Sequence, residues 1–189
     1  MLTACLVVGH SPRYPGAVAL DGTAEHPYNT RLRALIAGAV CGVSLVEAKR
    51  PDLRSAYAGI VALPPLINAT AADFCVEMHF NGYRATSARG SEALYWHGSE
   101  RSKALARHLV DAFDAAGFPA RRTPLVAVRS EDQRGGLLLK RTSMPCVIAE
   151  PFFGSNADDW DAATLRTGEL AIAYARAIEA YAAGHEGNP

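Results

Sequence analysis

Two histidines and two glutamates, His10, Glu25, His79 and Glu150, stand where side chains distant in the chain could meet. His10, His79 and Glu150 each close a short apolar run that reads as a buried strand, and Glu25 opens the amphipathic stretch after the His10 loop. If those strands are parallel, their carboxyl ends share one sheet edge, where ligands and metals bind in such folds. Two imidazoles, one carboxylate and one further carboxylate form the set that a hydrolytic zinc site needs. Zinc accepts imidazole nitrogen and carboxylate oxygen at about 2.0–2.2 Å, and a catalytic site keeps one position for water. The ion lowers the pKa of that water to roughly 7. A carboxylate outside the coordination shell can take the proton and pass it to a leaving nitrogen. Spacing alone does not establish this chemistry. The chain has no His-Glu-x-x-His helix, and a single histidine at a strand end is more often a hydrogen-bonded structural residue than a ligand.

The elements that must position these residues follow from periodicity. In Asp73 to Gly82, Phe74, Val76, Met78 and Phe80 fall on one side of a strand, with Cys75, Glu77, His79 and Asn81 on the other. A largely apolar run of this kind predicts a strand covered on both faces. Leu2 to Val8, Val43 to Val46, Glu92 to His97 and Cys146 to Ala149 read as further strands. A helix from Glu25 has Tyr28, Leu32, Leu35, Ile36 and Ala39 on one face. Ser55 to Ala71 is predicted helical, with Pro64-Pro65 expected to end or kink it. Ser99 to Ala116 is a helix stopped by Gly117 and Pro119. Leu137 to Lys140 reads as a helical turn, and one closing helix is expected from an Asn156 cap to about Ala183. Arg121 to Gly136 reads as basic and irregular. Strands alternating with helices predict a single α/β domain, a mainly parallel twisted sheet with helices on both faces. The domain is expected to span residues 1–184, with 185–189 as a C-terminal tail.

Composition narrows the function. The 189 residues include 19 Lys and Arg against 19 Asp and Glu, so net charge argues for neither a nucleic-acid nor a membrane-surface partner. Cys5, Cys41, Cys75 and Cys146 lie in or beside apolar segments without CxxC spacing, which favours buried reduced thiols. The amino terminus reads as a first strand and not as a signal peptide. No apolar run approaches transmembrane length, so no stable membrane association is expected.

The flanking residues carry more information than the four polar positions alone. Val7-Val8-Gly9-His10, Glu25 with Asn29, Glu77-Met78-His79-Phe80-Asn81, Arg89-Gly90-Ser91-Glu92-Ala93-Leu94-Tyr95 and Met144-Pro145-Cys146-Val147-Ile148-Ala149-Glu150 follow in one order, and Glu150, Phe153 and Asn156 hold a Glu-x-x-Phe-x-x-Asn spacing. This pattern resembles the zinc-dependent N-acetylmuramoyl-L-alanine amidases of the type-3 class, found among bacterial cell-wall enzymes and phage endolysins. The resemblance spans nearly the whole chain. It implies one Zn2+ per chain held by His10, Glu25 and His79, with Glu150 as general base and then acid. It implies peptidoglycan as substrate, cut between N-acetylmuramic acid and L-alanine of the stem peptide. Two departures stand out. Pro151-Phe152 replaces the usual x-Gly, which stiffens the backbone and bears on the width of the cleft. Glu77 stands where a small residue is usual, either as a partner orienting an imidazole or as a binding group itself.

Around this set, His26 is an alternative ligand beside Glu25, and His97 sits near a strand end. Asn81, Arg129 and Arg134 are the candidates for substrate binding, since arginine grips carboxylates of the kind that stem peptides carry. Trp96 and Trp160 could stack on sugars, although packing is the commoner use. A chain filled by one catalytic domain and lacking a leader is expected to be a monomeric phage or prophage endolysin. It would be made in the cytoplasm and would reach the wall through a membrane lesion opened by a holin-type partner. The rival readings are a zinc amidohydrolase of small N-acyl amino acids and a non-catalytic wall-binding module.

Overall fold

The computed structural model describes residues 1–185. Strands β1 (Thr3–Val8), β2 (Ser44–Glu47), β3 (Phe74–Met78), β4 (Ser91–Trp96), β5 (Ala120–Val128) and β6 (Cys146–Glu150) form one sheet in the order β2-β1-β3-β6-β4-β5. β2, β1, β3 and β6 are mutually parallel; β4 runs antiparallel to β6, and β5 is parallel to β4. The mainly parallel α/β expectation therefore holds, and the carboxyl ends of β1, β3 and β6 lie along one edge. β4 starts at that edge, with Glu92 opposite Glu150.

Both faces of the sheet are covered, which explains the near-continuous apolar strands. On one face Leu6, Phe74, Val76, Met78 and Val147 pack with α1 (Glu25–Ala39), α3 (Glu100–Ala115), α5 (Ala157–Leu165) and α6 (Thr167–Ala183). On the other face Cys5, Val7, Cys75, Cys146 and Ile148 pack under α2 (Ala56–Asn68) and α4 (Gly136–Arg141) through Leu63, Ile67, Leu138 and Leu139. Cys5, Cys75 and Cys146 are register partners across three strands, free and buried, as expected; Cys41, expected to be buried with them, is exposed, because it lies in the connection between α1 and β2 and not in a strand. None of the described helices is long and apolar enough to cross a membrane.

Three local expectations need correction. The segment expected to be irregular contains β5, an edge strand whose Arg121, Arg122 and Pro124 mask its strand character. Charges and proline are tolerated at edges, where they also block further pairing. Helix α2 runs through Pro64 and Pro65 to Asn68, so the prolines do not end it: burying Leu63, Pro64 and Ile67 against the sheet outweighs two forgone backbone hydrogen bonds. The closing helix is two helices, α5 and α6, separated at Arg166, which leaves helical geometry (φ −126°, ψ 30°). Its guanidinium donates to the Ala116 carbonyl at 2.6 Å and lies over Phe118. Asn156 caps α5 as expected, accepting from the Asp159 N–H at 3.1 Å. Most of the expected tail, residues 186–189, lies outside the described residues.

Candidate active site

Parallel β1, β3 and β6 deliver His10, His79 and Glu150 to one cleft of about 340 Å³, which Glu25, Glu77, Asn81 and Arg134 also line. Glu25, 2% exposed, enters from the first residue of α1. Its Oε2 lies 3.0 Å from His10 Nε2 and its Oε1 lies 2.7 Å from His79 Nδ1. Backbone N–H groups of Ala17 (2.9 Å) and Phe80 (3.1 Å) donate to the same two oxygens and fix the carboxylate plane. Asn29 on the next turn donates to the Met78 carbonyl and ties α1 to the end of β3.

Backbone geometry brings the rings this close. His10 adopts a left-handed conformation (φ 68°), uncommon for a residue with a side chain, at the turn out of β1. Gly9 has no room for more than hydrogen, since a Cβ there would lie 2.4 Å from the His79 ring. Gly16, at φ +88°, passes so near that a Cβ would lie 2.4 Å from the His10 ring and 2.5 Å from Glu25 Oε2. A side chain at either glycine would collide with the site; Gly9 was read only as part of the Val7-Val8-Gly9-His10 motif, and Gly16 was not singled out in the sequence.

The donor set fits a divalent ion. One ligand atom from each of His10, Glu25 and His79 lies within 4.8 Å of the others, the composition of a three-ligand zinc site with an open position. Burial by itself would lower the His79 pKa, but the Glu77 and Glu25 carboxylates outweigh it and raise it to about 10. Burial would raise Glu25, yet the two imidazoles hold it well below the usual carboxylate range. An ion at the convergence would replace the protons that now let nitrogen face oxygen across these short gaps. His26 stands apart, its Nδ1 at the Gly9 carbonyl (3.0 Å), so the structure does not make it an alternative ligand.

Glu150 belongs to the cleft but not to that trio. It is 5% exposed, and burial raises its pKa to about 7 against the pull of His79 and Arg134. Arg134 NH1 is 3.6 Å from its Oε1. Arg134 is itself held: it donates to Asn81 Oδ1 at 2.7 Å and forms a short ion pair with Glu92, which also binds Arg121 and accepts from Asn81 Nδ2 at 3.0 Å. Buried Glu92 is thus the hub of a network whose outer end, Arg134, is half-exposed in the cleft. Sequence reading missed Glu92 and Arg121; a glutamate inside an otherwise apolar strand was the available signal.

Other candidates fall away from the cleft. Arg129 follows β5 on the surface, its N–H on Gln133, and does not line the cavity. His97 follows β4 directly, and because β4 runs antiparallel to β6 it lies at the opposite sheet edge from His79. Trp160 is buried in the aromatic core with Tyr28, Phe80 and Phe152, while Trp96 packs under Lys140 outside the cleft. Pro151-Phe152 does not crowd the site, because Phe152 is fully buried in that core.

The fold and this site together define a single α/β domain with a buried His-Glu-His trio beside a separate carboxylate. The family model for N-acetylmuramoyl-L-alanine amidases, Amidase_3, matches residues 5–180, and the chain belongs to that family. The fold is similar to that of the CwlD amidase from Clostridioides difficile, solved in complex with the GerS lipoprotein, at 21% identity and a TM-score of 0.80, covering 97% of this chain and 100% of that one. It is similar to the amidase Ami1 from Mycobacterium smegmatis at 18% identity and a TM-score of 0.80, with 97% of each chain covered. The catalytic domain of the CD27L endolysin, which targets Clostridia Difficile, shares the fold at 21% identity and a TM-score of 0.78, covering 95% of this chain and 98% of that domain. No curated protein matches in sequence.

Proposed function

We propose that this chain is a zinc-dependent hydrolase of peptidoglycan that cleaves the amide between the lactyl carbonyl of N-acetylmuramic acid and L-alanine. The observation that supports it most is the convergence of His10, Glu25 and His79 ligand atoms in the cleft that also holds the separate, buried Glu150. A zinc ion in that trio would supply Lewis acidity toward the scissile carbonyl and toward water. Glu150, buried in the same cleft, accepts a proton from the attacking water, whose oxygen bonds to the carbonyl carbon. As the C–N bond breaks, Glu150 returns the proton to the L-alanine nitrogen. Its raised pKa suits a group that must both take and give a proton near neutrality. Asn81 has its amide engaged between Glu92 and Arg134, so it serves to hold Arg134. Arg134, with side-chain exposure of 54%, offers its remaining donors to a substrate carbonyl or carboxylate.

The reading is tested by elemental analysis of the purified protein together with mass spectrometry of digested wall fragments. One zinc per chain, new L-alanine amino termini and unchanged glycan reducing ends are expected. EDTA should abolish the release and zinc should restore it. Hydrolysis of small N-acyl amino acids without attack on the wall would overturn the substrate, and wall binding without release would overturn the catalysis. The same proposal extends to lysis of a host cell, supported by the shared fold with an endolysin domain. Co-expression with a membrane-permeabilising partner should then lyse cells from within.

A further inference from the structure

The His79 ring has a second carboxylate on its far edge. Its Nδ1 faces Glu25 and the convergence point, while its Nε2 lies 3.1 Å from Glu77 Oε2. The other oxygen of Glu77 accepts from Arg50 NH2 at 2.5 Å. All three side chains are buried or nearly so: Glu77 is 1% exposed, Arg50 11% and His79 12%. Glu77 cannot share an ion with Glu25, because the two nitrogens of one imidazole point in different directions and Glu77 sits at the one turned away.

Arg50 belongs to the loop between β2 and α2, and that loop also braces the other histidine. Asp52 accepts from the Ser11 hydroxyl (2.8 Å) and the Arg13 N–H (3.1 Å), just after His10. Gly59 lets α2 close on this loop, since a Cβ there would lie 2.8 Å from the Pro51 carbonyl.

We propose that Glu77, held by Arg50, is a positioning residue that keeps the His79 imidazole with its proton on Nε2 and its Nδ1 lone pair directed at the metal. The inference rests on the zinc reading given above. A carboxylate accepting the outer N–H of a ligating histidine fixes its tautomer and its rotation and makes the inner nitrogen a better donor. Arg50 donates to the other oxygen of this carboxylate and so holds its plane. Partners of this kind are worth about 10–100-fold in metal affinity.

The test uses the full chain in three forms: parent, Glu77→Gln and Arg50→Met. Zinc dissociation constants are measured by competition with a chelator, thermal stability is measured in excess chelator, and imidazole nitrogen shifts are recorded by NMR on the zinc-loaded protein. Glu77→Gln is expected to weaken zinc binding about 10–100-fold, and stability in chelator should fall as well, because the variant leaves Arg50 buried without its counter-charge. The parent spectrum is expected to show His79 protonated at Nε2 with Nδ1 bound. Affinity in Glu77→Gln within twofold of the parent would overturn the inference and leave Glu77–Arg50 a structural ion pair. If Glu77→Gln does not fold, the parent spectrum decides, and coordination of His79 through Nε2 overturns the inference. A parent that takes up no zinc overturns the function proposed above along with this inference, whereas zinc uptake with unaltered variants overturns this inference alone.

Discussion

Replacing Glu150 with Gln separates what the carboxylate does for catalysis from what it does to stability. Glu150 is buried at 5% exposure, and Arg134 stands 3.6 Å away, too distant for a full compensating hydrogen bond. Its pKa rises from 4.5 to about 7 through burial. Each pH unit of difference is worth about 1.4 kcal/mol, so the ionised group penalises the fold by roughly 3 kcal/mol. The sign follows from proton counting. Below pH 4.5 both states carry the proton and nothing is lost. Between 4.5 and about 7 the unfolded chain releases its proton first, so stability falls as pH rises. Above about 7 the loss is complete. Glutamine never ionises, so Glu150→Gln in excess chelator should match the parent at pH 4 and exceed it at pH 8 by roughly 3 kcal/mol, or roughly 6–12 °C in Tm. The chelator is needed because a bound dication would itself favour the charged carboxylate. Wall hydrolysis should fall by about 10²–10⁴-fold with zinc content unchanged. Thermal scans at the two pH values and fragment release from purified wall give both numbers. Hydrolysis at the parent rate would refute the general-base assignment. A variant less stable than the parent at pH 8 would refute the burial argument.

Gly9→Ala should expel the His79 ring, since the added methyl would lie 2.4 Å from it; zinc content after dialysis should drop while far-UV circular dichroism is kept. Glu92→Gln should loosen Arg134 and raise KM more than it lowers kcat, measured on soluble muropeptides. With His79 raised to about 10, zinc loading near pH 7 should release protons, about one of them from His79, read by dye in weakly buffered solution. Zinc affinity should accordingly rise with pH from 7 toward 10.

Much of the site could be read from the chain because its main residues sit at strand ends. His10, His79 and Glu150 each follow an apolar run, and parallel pairing of β1, β3 and β6 then leaves little choice about where they meet. What escaped the reading depends on partners without local periodicity. Arg50 sits in a loop with no pattern of its own, and only the observation that buried Glu77 needs a cation could have led to it. β5 was hidden by the arginines and proline that edge strands tolerate. The fate of Pro64-Pro65 was decided by packing on the sheet, which outweighs local helix propensity. Gly9 entered the pattern only as part of Val7-Val8-Gly9-His10, and Gly16 gave no signal, because the importance of both lies in atoms they lack, which only the positions of the His79 and His10 rings reveal.

The lone solvent-facing thiol, Cys41, follows α1 and precedes β2, at the amino-terminal border of the parallel strands. That border is opposite the strand ends from which His10, His79 and Glu150 reach the cleft. Because Cys5, Cys75 and Cys146 are sealed inside the sheet, a maleimide should label the folded protein once, at a place where a tether leaves the cleft unobstructed. Beads or surfaces coupled there would present every molecule in the same orientation.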